Sequence, residues 1–384
     1  MNETRRILVT APKISNVDRE LLRGILAYAR GKKGTRWQVD LDFGDRDCCP
    51  IPVDPGDYDG FISLVSDPKQ RGDIRHRRKP SVLIEDVLTP RTFSSRPNVV
   101  TIANDHESEG CAAANYFLAR HFRNFAWYGE ESEPDWSAGR HRGFAGRLRT
   151  AGFRCLSFTG NADGLPSWLK SLPKPCAVFA VYDLRARRLV DTAVRSGIDV
   201  PRELAVLGVD NDDIICTTSF PTLSSIPSVH HSIGQAAGRA LNELMLGRAK
   251  GGRVMKVRYT RIISRLSTDI DAISDPALAT ALTYSRNHLF SKLDTAALAR
   301  QAGCPKYRLQ ASAMKTLGHP LADEIRKLRL NTARELLSET DTPIAEIAEA
   351  CGYNSVSHLS LRIKEACGLT PLAYRRKFRQ FTTR

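Results

Sequence analysis

Thr342-Pro-Ile-Ala-Glu-Ile-Ala-Glu-Ala-Cys-Gly352-Tyr-Asn-Ser-Val-Ser-His-Leu-Ser-Leu-Arg362-Ile-Lys-Glu365 is the stretch on which the reading of this chain turns. Ile344, Ile347, Ala348 and Cys351 recur at i, i+3, i+4 and i+7, which lays one apolar stripe along a helix. Thr342 is placed to cap that helix, with Pro343 in its first turn, where a missing N–H costs nothing. Gly352 supplies the left-handed residue that ends it. Asn354 or Ser355 is placed to cap a second helix with Val356, Leu359 and Ile363 inward. Ser355, Ser357, His358 and Arg362 are then the candidate DNA contacts, with Lys364 on the same helix. Helix, glycine turn and helix at this spacing is the arrangement that sets its second helix in the major groove of DNA.

Upstream, Asp294–Lys315 reads as a weaker copy. Thr295 caps, Ala296–Ala299 forms the first helix, Gly303 turns, and a second helix presents Lys306, Tyr307, Arg308 and Gln310 around a buried Leu309. A helix from Pro320 to Ser338, apolar at Leu321, Ile325, Leu328 and Leu336, joins the two. Reading heads on such a connector suit successive major grooves about 34 Å apart. The charge agrees: the 384 residues carry 57 Lys and Arg against 42 Asp and Glu, a net of +15, and residues 275–384 hold +7 of it. Such a balance favours polyanionic partners, although charge alone is equally met by a solvated basic face.

Residues 5–265 carry a different pattern, short apolar runs alternating with amphipathic helices, as in parallel sheets with crossover helices. The strand candidates are Ile7–Thr10, Gly60–Leu64, Val82–Glu85, Val99–Ala103, Phe125–Tyr128, Ala177–Val181 and Leu204–Val209. Helices are expected over Val17–Arg30, Glu107–His121, Gly139–Ala151, Leu184–Ser196 and Ile233–Leu246. Several strands run into polar residues, at Asn104-Asp105, Asp183 and Asp210-Asn211-Asp212. Ligands bind at the carboxyl ends of strands in open α/β sheets, while the plain alternative for each Asp is a helix N-cap, the expected role of Asp105.

Nine cysteines at irregular spacing, Cys48-Cys49 included, match neither a disulfide framework nor a CxxC metal pair, so a reducing cytoplasmic setting is expected, without metal or cofactor. The N-terminus passes from Arg5-Arg6 straight into Ile7-Leu8-Val9 with no secretory leader, and no run approaches the roughly 18 apolar residues that span a bilayer. An enzyme on the α/β part would need a reaction motif, and P-loop, GxGxxG, GxSxG and HExxH patterns are all missing. His230-His231, beside Ser228 and Ser232, reads as a loop before a helix.

Residues 280–384 resemble the AraC/XylS-type DNA-binding domain. The likeness rests on Ile344-x-x-Ile347-Ala348-x-x-Cys351-Gly352-Tyr353-x-Ser355, on Gly368-x-Thr370-Pro371-x-x-Tyr374-Arg375 and on Arg329-Leu330-x-x-Ala333-x-x-Leu336-Leu337. Pro305 and Ala313 stand where that family usually has Ser and Phe, and Leu359 and Ile363 where it has aromatics. Residues 5–265 resemble the LacI/GalR-type ligand-binding domain through Ala177–Asp183, Gly197–Pro201, Leu204–Asn211 and Phe220–Ile226. A LacI-like sensor ahead of an AraC-like reader is similar to the layout of xylose operon regulators. The junction, at Ser267–Asp269, Asp275–Ala277 and Tyr284-x-Arg286-Asn287-His288, is similar to them as well.

The resemblance implies a two-lobed α/β sensor of the periplasmic-binding-protein type over residues 1–270. A linker over 271–290 and an all-α domain of two helix-turn-helix units over 291–384 follow. It further implies a D-xylose-like effector between the lobes, held by Trp136, Arg140, Asp183 and Asp210, with Asn211 less central. Loops around Thr10–Lys13, Leu64–Asp67 and Glu85-Asp86 would supply the other lobe's share. The partners implied are an operator on double-stranded DNA, a second copy of the chain and RNA polymerase, with activation the usual outcome. Two other readings stand beside this one: an enzyme, and a ligand-independent DNA-binding protein whose sensor serves only for dimerisation.

Overall fold

The computed structural model describes residues 3–11, 16–31, 35–42, 55–65, 79–85, 97–130, 132, 134–160, 163–258, 261–289 and 293–378. It divides into two compact units, residues 1–106 with 228–259, and residues 107–227 with 260–384.

The first unit is an α/β layer. Strands β1 (Glu3–Thr10), β2 (Thr35–Asp42), β3 (Gly60–Val65), β4 (Ser81–Glu85), β5 (Val99–Asn104) and β11 (Arg253–Val257) form a parallel sheet in the order β11-β5-β4-β3-β1-β2. Helices α1 (Asn16–Gly31) and α7 (His230–Met245) pack Leu21, Ile25, Ile233, Ala237 and Leu241 onto Ile7, Val9, Ile62 and Val82. His230 and His231 open α7, which corrects the expected loop. The Ser228 hydroxyl and the His230 ring hydrogen-bond to each other there. Asp105 immediately precedes α2 (His106–Leu118), and its carboxylate accepts from Arg258 Nε at 2.7 Å.

In the second unit β6 (Asn124–Tyr128), β7 (Cys155–Phe158), β8 (Cys176–Ala180), β9 (Leu204–Asp210) and β10 (Ser224–Pro227) form a parallel sheet in the order β10-β9-β8-β6-β7. Around it lie α2, α3 (Asp135–Thr150), α4 (Leu165–Ser171), α5 (Asp183–Arg195) and α6 (Asp213–Thr218). The strands found but not expected, β2, β7, β10 and β11, are the edges of the two sheets. Interior strands are covered on both faces and read as unbroken apolar runs, whereas an edge strand keeps polar residues, as Arg36, Gln38 and Asp40 do between Trp37, Val39 and Leu41 of β2.

The helical remainder starts at α8 (Pro276–Asn287), capped by Asp275, whose carboxylate accepts from the N–H of Ala277 and Leu278. Helix α8 falls within the segment expected as a linker, and its Leu278, Ala281 and Leu282 are fully buried against α9 (Thr295–Gln301), α10 (Lys306–Leu317) and the start of α11 (Leu321–Glu339). Its Arg286 pairs with the buried Asp271 and donates to Ala119 O at 2.7 Å, which ties the helical part to the end of α2. The far end of α11 supplies Ala333 and Leu337 to a separate core with α12 (Ile344–Ala350), α13 (Val356–Cys367) and α14 (Pro371–Phe378). Two helix-turn-helix units therefore own separate cores on one connector. At 1.5 Å per residue the 19 residues of α11 span about 28 Å.

Local chemistry differs from expectation at three positions. Asp294, not Thr295, caps α9, by accepting from Ala297 N at 2.6 Å. Helix α12 starts at Ile344 after Pro343, without the side-chain cap expected of Thr342. Val356 lies at the first turn of α13 and is 40% exposed rather than buried. Ser355 does cap α13, accepting from His358 N at 3.1 Å, and Gly352 takes φ +68° in the turn.

Candidate ligand site and nucleic-acid interface

The four expected ligand residues gather at the carboxyl ends of adjacent strands in the second sheet. Trp136 and Arg140 lie one turn apart at the start of α3, and the Arg140 guanidinium carbon stands 5.2 Å from the Trp136 ring centroid. The Trp136 ring tilts against Tyr182, just past β8, with centroids 6.2 Å apart. Arg140 is buried: its Nε donates to Glu109 Oε2 at 2.7 Å and its Nη1 to Val181 O at 2.7 Å. Glycines make this geometry accessible. A Cβ on Gly110 would sit 2.0 Å from Arg140 O, and one on Gly143 2.0 Å from Glu107 O, so α2 and α3 meet backbone to backbone and carry Glu109 to Arg140.

Asp183 opens α5 and is 1% exposed, yet its carboxylate reaches sideways to the neighbouring strand. Oδ1 accepts from Ser225 Oγ at 2.6 Å, and Oδ2 accepts from Asp212 N at 2.8 Å and from Cys216 Sγ at 3.4 Å. Burial pushes this carboxyl up to about 7, the Ser225 and Asp212 hydrogen bonds restrain the rise, and the Asp210 charge adds to it. Asp210 ends β9 with φ +100°, and Asn211 follows at φ +50°. Residues with side chains avoid this region, at a cost on the order of 1–3 kcal/mol each, and such strain collects at binding sites. Asp210 is half-buried, and the described residues donate no hydrogen bond to its carboxylate. Beside these, Arg185 donates to Glu130 at 2.8 Å and to the Tyr128 hydroxyl at 3.2 Å. Burial raises the Glu130 carboxyl, but hydrogen bonds from Tyr182 and Arg185 outweigh it and leave it below the usual carboxylate range.

Reading the sequence missed Glu109, Glu130, Arg185, Ser225 and Arg265, whose Nη2 donates to Asn211 Oδ1 at 2.9 Å. An acidic residue inside a helical pattern gives no sign that it faces a buried arginine, and only the α2–α3 contact makes that visible. Of the loops expected from the other lobe, Thr10, Ala11, Leu64, Val65 and Glu85 are described, with Thr10 Oγ1 donating to Ser63 Oγ at 2.8 Å. The rest of Thr10–Lys13, Leu64–Asp67 and Glu85-Asp86, like Cys48-Cys49, lies outside the described residues.

On the helical side, α10 exposes Lys306, Tyr307, Arg308 and Gln310 around a fully buried Leu309. Helix α13 buries Leu359 and Ile363, exposes Ser357 and leaves His358 half-buried, its ring edge-on to Tyr353 at 5.5 Å. Arg362 pairs with Glu365 at 2.8 Å on the open face. A pair so exposed contributes little and gives way readily to a phosphate. Tyr374 and Arg375 hold the second unit together rather than facing outward. The Tyr374 hydroxyl accepts from Arg334 Nε at 3.2 Å, and Arg375 donates to the carbonyls of Thr342, at 2.5 Å, and Leu337.

Comparison with known proteins agrees with both halves. Residues 114–268 match a periplasmic binding protein-like domain and residues 298–377 a helix-turn-helix domain. The xylose operon regulatory protein of Haemophilus influenzae is 26% identical over 381 residues, covering 96% of this chain and 97% of its own. That of Escherichia coli is 28% identical over 293 residues, covering 73% and 75%. The chain is a helix-turn-helix transcription regulator homologous to xylose operon regulators. The solved structure of a xylose-binding transcription activator, xylR, covers 99% of this regulator and 100% of its own chain, with 25% identity and a TM-score of 0.59. The regulator thus joins a periplasmic-binding-protein-like α/β domain to a helical domain of two helix-turn-helix units. No helix among its described residues is long and apolar enough to cross a membrane.

Arg362→Ala is expected to weaken binding to a DNA fragment selected with the full chain by about ten-fold or more, since a good base or phosphate contact contributes about 1–3 kcal/mol. Mobility-shift titration over a range of salt checks this. A salt slope smaller by about 1 marks a phosphate contact, and relaxed preference at one base pair marks a base contact. Unaltered affinity would take Arg362 out of the interface.

Proposed function

We propose that the chain senses D-xylose or a closely related monosaccharide through the carboxyl ends of β8 and β9 and activates transcription from a DNA operator in response. The observation that carries this is the strained Asp210-Asn211 turn at the end of β9, whose carboxylate receives no hydrogen bond from the described residues, in the same sheet whose neighbouring strand ends carry the Trp136 ring and the Arg140 guanidinium. Adjacent sugar hydroxyls are bound by such planar polar groups, and the apolar face of a pyranose by a ring like Trp136. Asp210, Arg140 and Trp136 are the contacts, and Asp183 lies immediately behind Asp210. Lys306, Tyr307, Arg308 and Gln310 of the first unit, and Ser355, Ser357, His358 and Arg362 of the second, face the operator.

The chain works as a homodimer in the cytoplasm, where it reaches DNA and RNA polymerase, and binds its effector without turning it over. Sugar changes DNA binding only to the extent that it binds one arrangement of the regulator more tightly than the other. Arg286 of α8, which pairs with Asp271 and donates to Ala119 O just past α2, is a place where such a difference is passed on.

Calorimetric titration with D-xylose, then other pentoses and hexoses, tests this reading. One-site binding is expected, abolished in Asp210→Ala, with the affinity of ligand-free protein for DNA unchanged. Normal titration of Asp210→Ala would mean the pocket is elsewhere. No heat from any sugar with the unaltered chain would favour the ligand-independent reading.

A further inference from the structure

We propose that Asp183 is a positioning residue: its buried carboxylate, through Asp212 N and Ser225, locks the Asp210-Asn211 turn in its left-handed shape and so aims the Asp210 carboxylate at the ligand. The inference rests on the reading of Asp210 as a ligand contact. It assigns to Asp183 a role distinct from touching sugar.

Each part of the turn leads back to this one side chain. Oδ2 accepts from the N–H of Asp212, the residue directly after the strained pair. Oδ1 accepts from Ser225 Oγ, and the same oxygen of Ser225 accepts from Asn211 N at 3.0 Å. Two successive amides of the turn are thereby fixed by Asp183, one directly and one through a hydroxyl. Asp212 in turn caps α6, accepting from Ile215 N at 3.0 Å, and Cys216 of α6 donates back to Asp183. Space for the carboxylate is kept by Gly208, whose Cβ would fall 2.2 Å from Asp183 Oδ1. On the outer side Arg265 bridges Asn211 Oδ1 and Leu223 O, which closes the cage. With three internal donors on two oxygens and 1% exposure, Asp183 is oriented away from a role in direct recognition.

What the turn takes from this side chain is acceptor geometry, since each carboxylate oxygen meets a donor that leads into the turn. Asparagine reproduces that geometry. Its Oδ1 accepts from Asp212 N, and its Nδ2 donates to Ser225 Oγ, which has a second lone pair for Asn211 N. Alanine leaves both turn amides without their acceptor.

The test compares the unaltered chain with Asp183→Ala and Asp183→Asn in two measurements. Hydrogen exchange of ligand-free protein reads the turn itself: Asp183→Ala is expected to speed exchange at Asn211 and Asp212 at least ten-fold, and Asp183→Asn to stay within about three-fold. Titration with D-xylose reads the consequence: Asp183→Ala loses at least ten-fold in affinity, and Asp183→Asn regains it to within about three-fold. Should Asp183→Ala fail to fold, Asp183→Asn decides alone. Loss of xylose affinity in Asp183→Asn with unaltered exchange would make Asp183 a direct ligand contact and overturn the proposal, as would parent-like exchange in Asp183→Ala. If the unaltered chain does not bind xylose, the sugar reading fails separately, and exchange at Asn211 and Asp212 still decides whether Asp183 holds the turn.

Discussion

Glu109→Ala is expected to destabilise the second α/β layer by about 3–5 kcal/mol, the cost of removing one partner from a buried ion pair. The Glu109 and Arg140 side chains are 1% and 5% exposed and meet at 2.7 Å, so neither charge has recourse to water. Arg140 loses its carboxylate while its Nη1 stays bonded to Val181 O beside the Trp136 ring, and the backbone contact of α2 with α3 at Gly110 and Gly143 opposes its swinging outward. Denaturant melts of Glu109→Ala and of the double variant Glu109→Met with Arg140→Met separate two effects. The double variant replaces both charges by apolar groups of similar volume, which is often neutral or stabilising. It is expected to recover stability while still failing to bind sugar, because the guanidinium is gone. A loss below 1 kcal/mol in Glu109→Ala would show that the pair is solvated and that Arg140 is not held ready by it.

How much of this was legible beforehand follows from where burial falls. The interior strands β1, β3, β4, β5, β6, β8 and β9 coincide with the apolar runs, because a strand covered on both faces must be apolar throughout. The edges were not legible: Leu156 of β7 is 43% exposed, and β11 joins β5 from some 150 residues away, a pairing no local pattern encodes. In the helical domain, periodicity located Leu309, Ile347, Ala348, Leu359 and Ile363 inside and Lys306–Arg308 outside. It misassigned Val356, since at the first turn of α13 an apolar side chain in register with Leu359 still projects past the end of the core. Spacing also placed Trp136 with Arg140 on one side of a helix. The buried network of Asp183, Asp212, Ser225 and Asn211 was hidden, because its members come from separate strands and their relation exists only after the sheet has formed.

Leu359→Ala is expected to cost about 2–5 kcal/mol, the range for a fully buried leucine cut to alanine, and to melt the second helix-turn-helix unit. Leu359 is fully buried among Ala333, Leu337, Ile347 and Ile363, and the cluster contains one buried aromatic, Tyr374. In so small a core the cavity term is a large share of local stability, and little nearby can move in to fill it. The first unit has its own core around Leu298, Leu309 and Ile325, so it should stay folded and keep its contacts. Affinity for a selected DNA fragment should therefore fall about a hundred-fold or more while some binding persists. The slope of log K against log salt should shrink roughly in proportion to the phosphates the second unit neutralises, at about 0.9 per contact. Leu309→Ala, the matching change in the first unit, gives the reciprocal measurement. Should Leu309→Ala leave both affinity and slope intact while Leu359→Ala removes them, a single head reads the operator, and the first serves mainly to seat α11. Equal losses would establish that both heads grip DNA. An unchanged salt slope in Leu359→Ala, with the unit shown to have melted, would place the operator contacts outside α13 altogether.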